Sequence, residues 1–108
     1  YAITDKHGQW ILGPQQSAQN ELRITGIVDN VPMTWVIDRT FCDSNGVRWI
    51  IDYKTSSHEG SDINDFLDRE QMRYQHQLNH YAKIMRQIDS RPIRLGIYFP
   101  LIGGWREW

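Results

Sequence analysis

Apolar and polar residues alternate through the first half of the chain in runs rich in β-branched and aromatic side chains, a pattern that predicts β-strands. The predicted strands cover 9–12, 21–28, 34–42 and 47–54. Turn residues follow the first two of them, Gly13-Pro14 and then Asp29-Asn30-Val31-Pro32. The first half is therefore expected to form three or four strands of a sheet.

The spacing of apolar residues changes to three and four in the second half, and this indicates a helix over 69–88. Asp68 is a suitable N-cap, a separate helical turn is predicted at 63–67, and a polar loop at 56–62. Two further strands are expected at 93–99 and 105–108. This order favours an α+β fold, with a mainly antiparallel or mixed sheet of four to six strands and one long helix.

Composition limits the class of protein. The chain has 108 residues, 40% hydrophobic and 23% charged, which fits one globular domain over 1–108 and excludes a disordered chain or a coiled coil. The net charge of -1 means that contact with nucleic acid would need a local basic patch. A single cysteine, Cys42, favours a reducing compartment, excludes multi-cysteine zinc sites and lacks a partner for cysteine catalysis.

The predicted hairpin between the third and fourth strands carries the candidate chemistry. Residues 44–46 suit a three-residue loop with Gly46 in the left-handed conformation. That loop would place Asp38 opposite Asp52 on one face, and strand alternation adds Lys54 to the same face. A loop of two or four residues would point the two aspartates apart.

Two facing carboxylates repel each other unless a positive charge lies between them. Lys54 supplies one charge, and a divalent cation such as Mg²⁺, which takes oxygen ligands, would satisfy both carboxylates. A bound metal lowers the pKa of its water, and a neighbouring lysine can orient or deprotonate that water. These are the parts needed to hydrolyse a phosphodiester, although an ordinary salt bridge at a strand end gives the same Asp-x-Lys sequence.

Three segments together resemble the RecB-like exonuclease module of the PD-(D/E)XK nuclease superfamily: IDRTF (37–41), WIIDYKTS (49–56) and YQHQLNHYA (74–82). In that module one Asp ends a strand, Asp-x-Lys ends the next, and the following helix carries Gln-x-x-x-Tyr. The tail LGIYFPLIGGWREW is similar to the end of bacterial UvrD/Rep-type, AddA-like helicase–nucleases. The resemblance runs from Glu21 onward and implies a restriction-endonuclease-like core.

The resemblance also implies roles for individual residues. The implied catalytic residues are Asp38, Asp52, Lys54, Gln77 and Tyr81. In the family the two aspartates and the backbone carbonyl corresponding to Tyr53 bind Mg²⁺ or Mn²⁺, and the lysine positions or activates the attacking water. The glutamine and tyrosine, which share a helix face here, help to hold DNA and the geometry of the site. The implied product carries a 5′-phosphate.

The resemblance further implies a setting for the domain. It would be the C-terminal exonuclease module of a bacterial, cytoplasmic and nucleoid-associated protein that processes DNA double-strand ends in recombinational repair. Its expected partners are DNA, upstream helicase domains that use ATP, and a second helicase–nuclease subunit, with no membrane involved. RecB-like modules also have a histidine ligand on an upstream helix. No such helix is predicted here, His7 lies in a turn-like segment, and we expect that ligand earlier in the parent protein.

Weaker candidates have two readings each. Arg69 and Arg73 suit DNA phosphates or a solvated helix face, and Tyr74 suits a DNA contact or core packing. Glu21 is a candidate site carboxylate and His58 a candidate DNA contact, but solvated side chains explain both more simply.

The remaining histidines and the tryptophans have simple interpretations. His76 and His80 have a spacing that can bind zinc, and we interpret them as surface residues. Trp35, Trp49, Trp105 and Trp108 are expected to pack the sheet or cover the rest of the parent protein. Two alternatives to a nuclease stay open: a catalytically silent, nuclease-like DNA-binding module, and a Trp-rich β-module that binds a protein or sugar.

Overall fold

The computed structural model of the chain describes residues 6–13, 15–55 and 62–108. Most of the predicted loop, including His58, lies outside these residues. The described elements are α1 (Lys6–Leu12), β1 (Gln16–Val28), β2 (Val31–Cys42), β3 (Arg48–Tyr53), α2 (Ile63–Ile88), β4 (Ile93–Phe99) and β5 (Gly104–Glu107). None of the described helices is long and apolar enough to cross a membrane.

The five strands form one mixed sheet in the order β1-β2-β3-β4-β5. Neighbouring strands are antiparallel except for β3 and β4, which are parallel. Parallel neighbours need a crossover connection, and the segment that joins β3 to β4 contains α2. The prediction of an α+β fold with a mixed sheet and one long helix is confirmed.

The hairpin loop between β2 and β3 has the predicted geometry. Gly46 has a φ of +79°, and the N–H of Asp43 donates to the carbonyl of Val47 at 2.9 Å. The Asp43 carboxylate closes the loop by accepting from the N–H groups of Asn45 and Val47 at 2.8 and 3.0 Å. Local turn chemistry therefore fixes the register of the hairpin.

Each face of the sheet has its own apolar cluster. Helix α2 packs on one face, where the fully buried residues include Ile37, Ile50, Leu78 and Ile97. Helix α1 packs on the other face, whose buried cluster is Ile11, Phe41, Trp49, Ile51, Tyr98 and Trp105. A Cβ at Gly96 would collide with the ring of Trp105, so the second cluster requires glycine at that position. The prediction that Trp49 and Trp105 pack the sheet is confirmed.

Two predictions about the N-terminal region are wrong. Residues 9–12 are helical rather than extended, and the N–H of Gly13 donates to the carbonyl of Gln9 at 2.9 Å. The expectation that no helix precedes the strands is also wrong, because α1 precedes β1 and contains His7. A short apolar run gives the same pattern in a strand and in a buried helix, and here packing of Ile11 against the sheet decides between them.

The predicted start of the long helix is also wrong. Asp62, not Asp68, is the N-cap, and its carboxylate accepts from the N–H groups of Asn64 and Asp65. The separate turn at 63–67 is consequently the first part of α2. Asp68 instead lies on the helix surface, where it pairs with Arg106 at 3.0 Å.

Candidate active site

The candidate site lies where β2 and β3 separate. Their paired residues run from Cys42 and Arg48 as far as Arg39 and Ile51, and the next pair in this register is Asp38 and Asp52. At that point the N–H of Tyr53 donates to Oδ2 of Asp38 at 2.8 Å. The carboxylate of Asp38 therefore accepts the hydrogen bond that a backbone carbonyl of β2 would accept in a regular ladder.

The backbone of Tyr53 faces the same gap. The N–H and C=O groups of one strand residue point toward the same edge, so the carbonyl of Tyr53 is directed toward Asp38 as its N–H is. The other edge of the strand stays paired, since the N–H of Lys54 donates to the carbonyl of Tyr98 at 2.9 Å. The structure brings together the three oxygen-bearing groups that the sequence singled out.

Asp52 is buried with an incompletely satisfied carboxylate. The residue is 8% exposed, and its Oδ2 has no hydrogen-bond partner among the described residues. That oxygen lies 2.7 Å from Nζ of Lys54, so an ion pair opposes its charge. The buried carboxylate is thus held against one cationic side chain at the point where the two strands separate.

The environment of Asp52 disfavours its charged form. Burial raises the pKa of Asp52 to about 6, Lys54 opposes this shift, and the neighbouring Asp38 adds to it. The charge of Asp38 is therefore close enough to disfavour ionisation of Asp52. A divalent cation bound between them would remove both the repulsion and the cost of the buried charge.

Helix α2 supplies the opposite wall of the site. Nζ of Lys54 lies 3.8 Å from the centre of the Tyr74 ring, in a cation–π arrangement. One turn along, Nε2 of Gln77 donates to the hydroxyl of Tyr81 at 2.8 Å. Burial raises the pKa of Tyr81, and the charge of Asp52 raises it further, so this hydroxyl lies within the electrostatic range of the site.

The predicted side chains of the hairpin and of α2 therefore meet in one place. The structure brings together Asp38, Asp52, Lys54, Gln77 and Tyr81. Sequence reasoning missed the role of Tyr74 as the neighbour of Lys54. The signal was present in the spacing of three and four residues that joins Tyr74, Gln77 and Tyr81 on α2.

His7 and Glu21 lie away from this place, whereas Arg73 borders it, with its guanidinium 5.3 Å from the centre of the Tyr74 ring. His7 stacks on Trp105 at 5.5 Å, on the face of the sheet opposite α2. Glu21 is exposed in the middle of β1 rather than at a strand start. Arg69 and Arg73 are exposed on α2, and Arg73 lies 3.9 Å from the carboxylate of Glu70.

The donor atoms of the site fit a hard divalent cation. The described residues contain no group of three or more His, Cys, Asp and Glu side chains suited to a metal. Among the described residues, the oxygens at this point of the fold are the carboxylates of Asp38 and Asp52 and the backbone carbonyl of Tyr53. Mg²⁺ commonly uses one or two carboxylates and keeps several waters, so these oxygens suit Mg²⁺ or Mn²⁺.

No protein-family model and no curated protein matches this chain. Its function is therefore inferred from the residues of the site and from their geometry.

Proposed function

We propose that this chain is a RecB-like nuclease domain with a restriction-endonuclease-like core, which hydrolyses DNA phosphodiester bonds with Mg²⁺ or Mn²⁺. One observation carries the proposal. Asp38 and Asp52 lie where the β2–β3 ladder opens, and the buried Oδ2 of Asp52 lies 2.7 Å from the ammonium of Lys54. Two neighbouring carboxylates, one buried and one half-buried, are well suited to a cation.

Each residue of the site has a defined part in this reaction. Asp38, Asp52 and the carbonyl of Tyr53 would hold the cation, which supplies an acidified water and polarises a phosphate oxygen. Lys54 would hold the attacking water, because its ammonium lies beside Asp52 and is the nearest described cation to it. The water attacks phosphorus and the bond from phosphorus to the 3′ oxygen breaks. One product then ends in a 3′-hydroxyl, which has taken up the proton lost by the water, and the other carries a 5′-phosphate.

Helix α2 would support the reaction from the other side. The hydroxyl of Tyr81 accepts from Gln77, so its own proton remains available for a phosphate or carboxylate oxygen. The same hydrogen bond fixes the tyrosine beside the two aspartates. We propose that Gln77 and Tyr81 position the substrate relative to the two aspartates.

The wider setting belongs to the same proposal. The domain would act as the C-terminal exonuclease module of an AddA-like helicase–nuclease in the bacterial cytoplasm. ATP-driven helicase domains upstream would deliver DNA ends for recombinational repair, together with a second subunit. A Trp-rich binding module has less support, because Trp49 and Trp105 are buried in the core rather than displayed.

The test is cleavage of a 5′-labelled DNA strand, with Mn²⁺ and separately with EDTA, by the full-length parent protein, in which the histidine ligand is expected. We expect Mn²⁺-dependent cleavage that Asp52→Asn abolishes. Asp65→Asn is the matched control, since it makes the same chemical change at an exposed position on α2. Mn²⁺ binding without cleavage would identify a silent DNA-binding module, and the absence of any Mn²⁺ effect on thermal stability would exclude both readings.

A further inference from the structure

Basic side chains are concentrated on one side of α2. Five residues recur at intervals of four and three along the helix, and this spacing places them on one face. They are Arg69, Arg73, His76, His80 and Lys83, here called the basic stripe. All are exposed except His80, which is half-buried. At a rise of 1.5 Å per residue, the basic stripe is about 21 Å long.

The surroundings of the basic stripe contain few acidic groups. No Asp or Glu occurs from 71 to 88, although the chain as a whole has more acidic than basic residues. Glu70 contacts Arg73 at the N-terminal end, and Asp29 lines a shallow depression with Lys83 at the other. The helix dipole explains a cation in the last turn, Arg86, but its influence does not extend to the middle of the helix.

A groove accompanies the C-terminal half of the basic stripe. A cavity of about 340 Å³ is lined by His76, Asn79, His80, Ala82, Lys83 and Arg86. Its polar lining consists of hydrogen-bond donors and cations, with no carboxylate. Such a lining favours an anionic ligand.

The basic stripe is continuous with the candidate active site. The ring of Trp35 lies 6.4 Å from the ring of His80 and 6.4 Å from that of Tyr81, so it bridges the two. At the other end, Arg73 neighbours Tyr74, which holds Lys54. Through Trp35 and Tyr74, the basic stripe therefore adjoins the residues of α2 that face the site.

We infer that the basic stripe and its groove bind the backbone of single-stranded DNA and guide it past Asp38 and Asp52. This inference rests on the proposed function and adds the path of the substrate. A stacked strand carries one phosphate about every 3.4 Å, so a stripe of this length spans about six phosphates. Trp35, half-buried between the stripe and Tyr81, offers an aromatic edge to a base.

The test is the salt dependence of DNA binding, measured by fluorescence anisotropy in EDTA so that no cleavage occurs. The probe is a fluorescein-labelled single strand of about 15 nucleotides, longer than the basic stripe. The test variant is Arg69→Gln/Arg73→Gln/Lys83→Gln. The control is Lys6→Gln/Arg23→Gln/Arg94→Gln. It also removes one lysine and two arginines, from exposed positions on the other side of the sheet.

Each lost phosphate contact should lower the slope of log affinity against log salt by about 0.7 for a single strand. We therefore expect the test variant to lose about 2 from that slope and to bind about 100-fold more weakly at 0.1 M salt. The control should keep the wild-type slope. Equal losses in the two variants, an unchanged slope in the test variant, or no binding by the wild type would each overturn the inference.

Failure of this inference is distinguishable from failure of the proposed function. Thermal stabilisation by Mn²⁺ and cleavage of the same probe report on the carboxylate site. A test variant that binds DNA normally while the wild type cleaves with Mn²⁺ would refute the substrate path alone. A wild type that shows neither Mn²⁺ effect would refute the nuclease, whatever the salt slopes show.

Discussion

Replacing Asp52 by asparagine should stabilise the metal-free protein at neutral pH. The folded-state pKa of Asp52 is about 6, against an ordinary value of 3.8. One pKa unit corresponds to 1.36 kcal/mol, so ionising this carboxylate in the folded protein costs about 3 kcal/mol. Asparagine has nearly the same shape and carries no charge, and it therefore avoids that cost.

The sign of the effect defines the pH window. A raised pKa means that the folded state binds more protons than the unfolded state between about pH 4 and pH 6, so the wild type loses stability as the pH rises through this range. The Asp52→Asn variant lacks this loss. Its advantage should be small near pH 4 and complete above pH 7.

The figure of about 3 kcal/mol already includes the favourable effect of Lys54, whose ammonium lies 2.7 Å from Asp52 and lowers its pKa. A denatured state that keeps some structure would reduce the measured gain. We expect a net gain of about 1–3 kcal/mol at pH 7.5, or roughly 5–15 °C in melting temperature for a domain of this size. Urea unfolding in EDTA at pH 4, 5.5 and 7.5 measures both the gain and its pH dependence.

Asp65→Asn removes an exposed carboxylate from the first turn of α2 and should cost up to about 1 kcal/mol rather than give a gain. With Mn²⁺ at 100 times its dissociation constant, the wild type should gain about 2.7 kcal/mol, and Asp52→Asn little. A variant no more stable than wild type at pH 7.5, or a gain independent of pH, would refute the account of Asp52 as a costly buried charge.

Three further predictions follow from the same contacts. Lys54→Met should keep stabilisation by Mn²⁺ in a thermal-shift assay and lose turnover; loss of Mn²⁺ binding would contradict its assignment to the water. Tyr74→Leu should slow single-turnover cleavage about 3- to 30-fold, since a cation–π contact of about 0.5–2 kcal/mol is lost, whereas Tyr74→Phe should stay close to wild type. Gly96→Ala should destabilise the fold by about 1–3 kcal/mol in urea because its Cβ would meet the Trp105 ring, and a neutral result would refute that packing.

The parts of the fold that were predicted correctly depend on local chemistry. The residues at 44–46 determine a loop length, the loop length determines the register, and the register places Asp38 opposite Asp52. The apolar spacing in the second half likewise identified most of α2 from sequence alone. Each of these inferences used residues that are close together in the chain.

The errors and omissions depend on tertiary contacts. The segment 9–12 is helical because Ile11 packs under the sheet, and neither Asp62 nor Asp68 is distinguished as an N-cap until the helix start is known. The contact between Lys54 and Tyr74 joins the end of a strand to a helix that begins at Ile63. Contacts of this kind cannot be predicted from periodicity, because the residue spacing within one segment carries no information about which other segment it will contact.

The candidate site lowers the stability of the fold, and the structure around it compensates for this loss. Asp52 keeps an unfavourable buried charge, and the ladder gives up a regular pairing so that Asp38 can accept from Tyr53. A marginally stable domain retains such a region only where the adjoining structure holds it in place. Here the closed hairpin loop holds one side and α2 packed on Ile50 and Ile97 holds the other. Oxygens already positioned in this way need little rearrangement to receive a cation, so the instability without metal and the expected affinity for metal have the same structural origin.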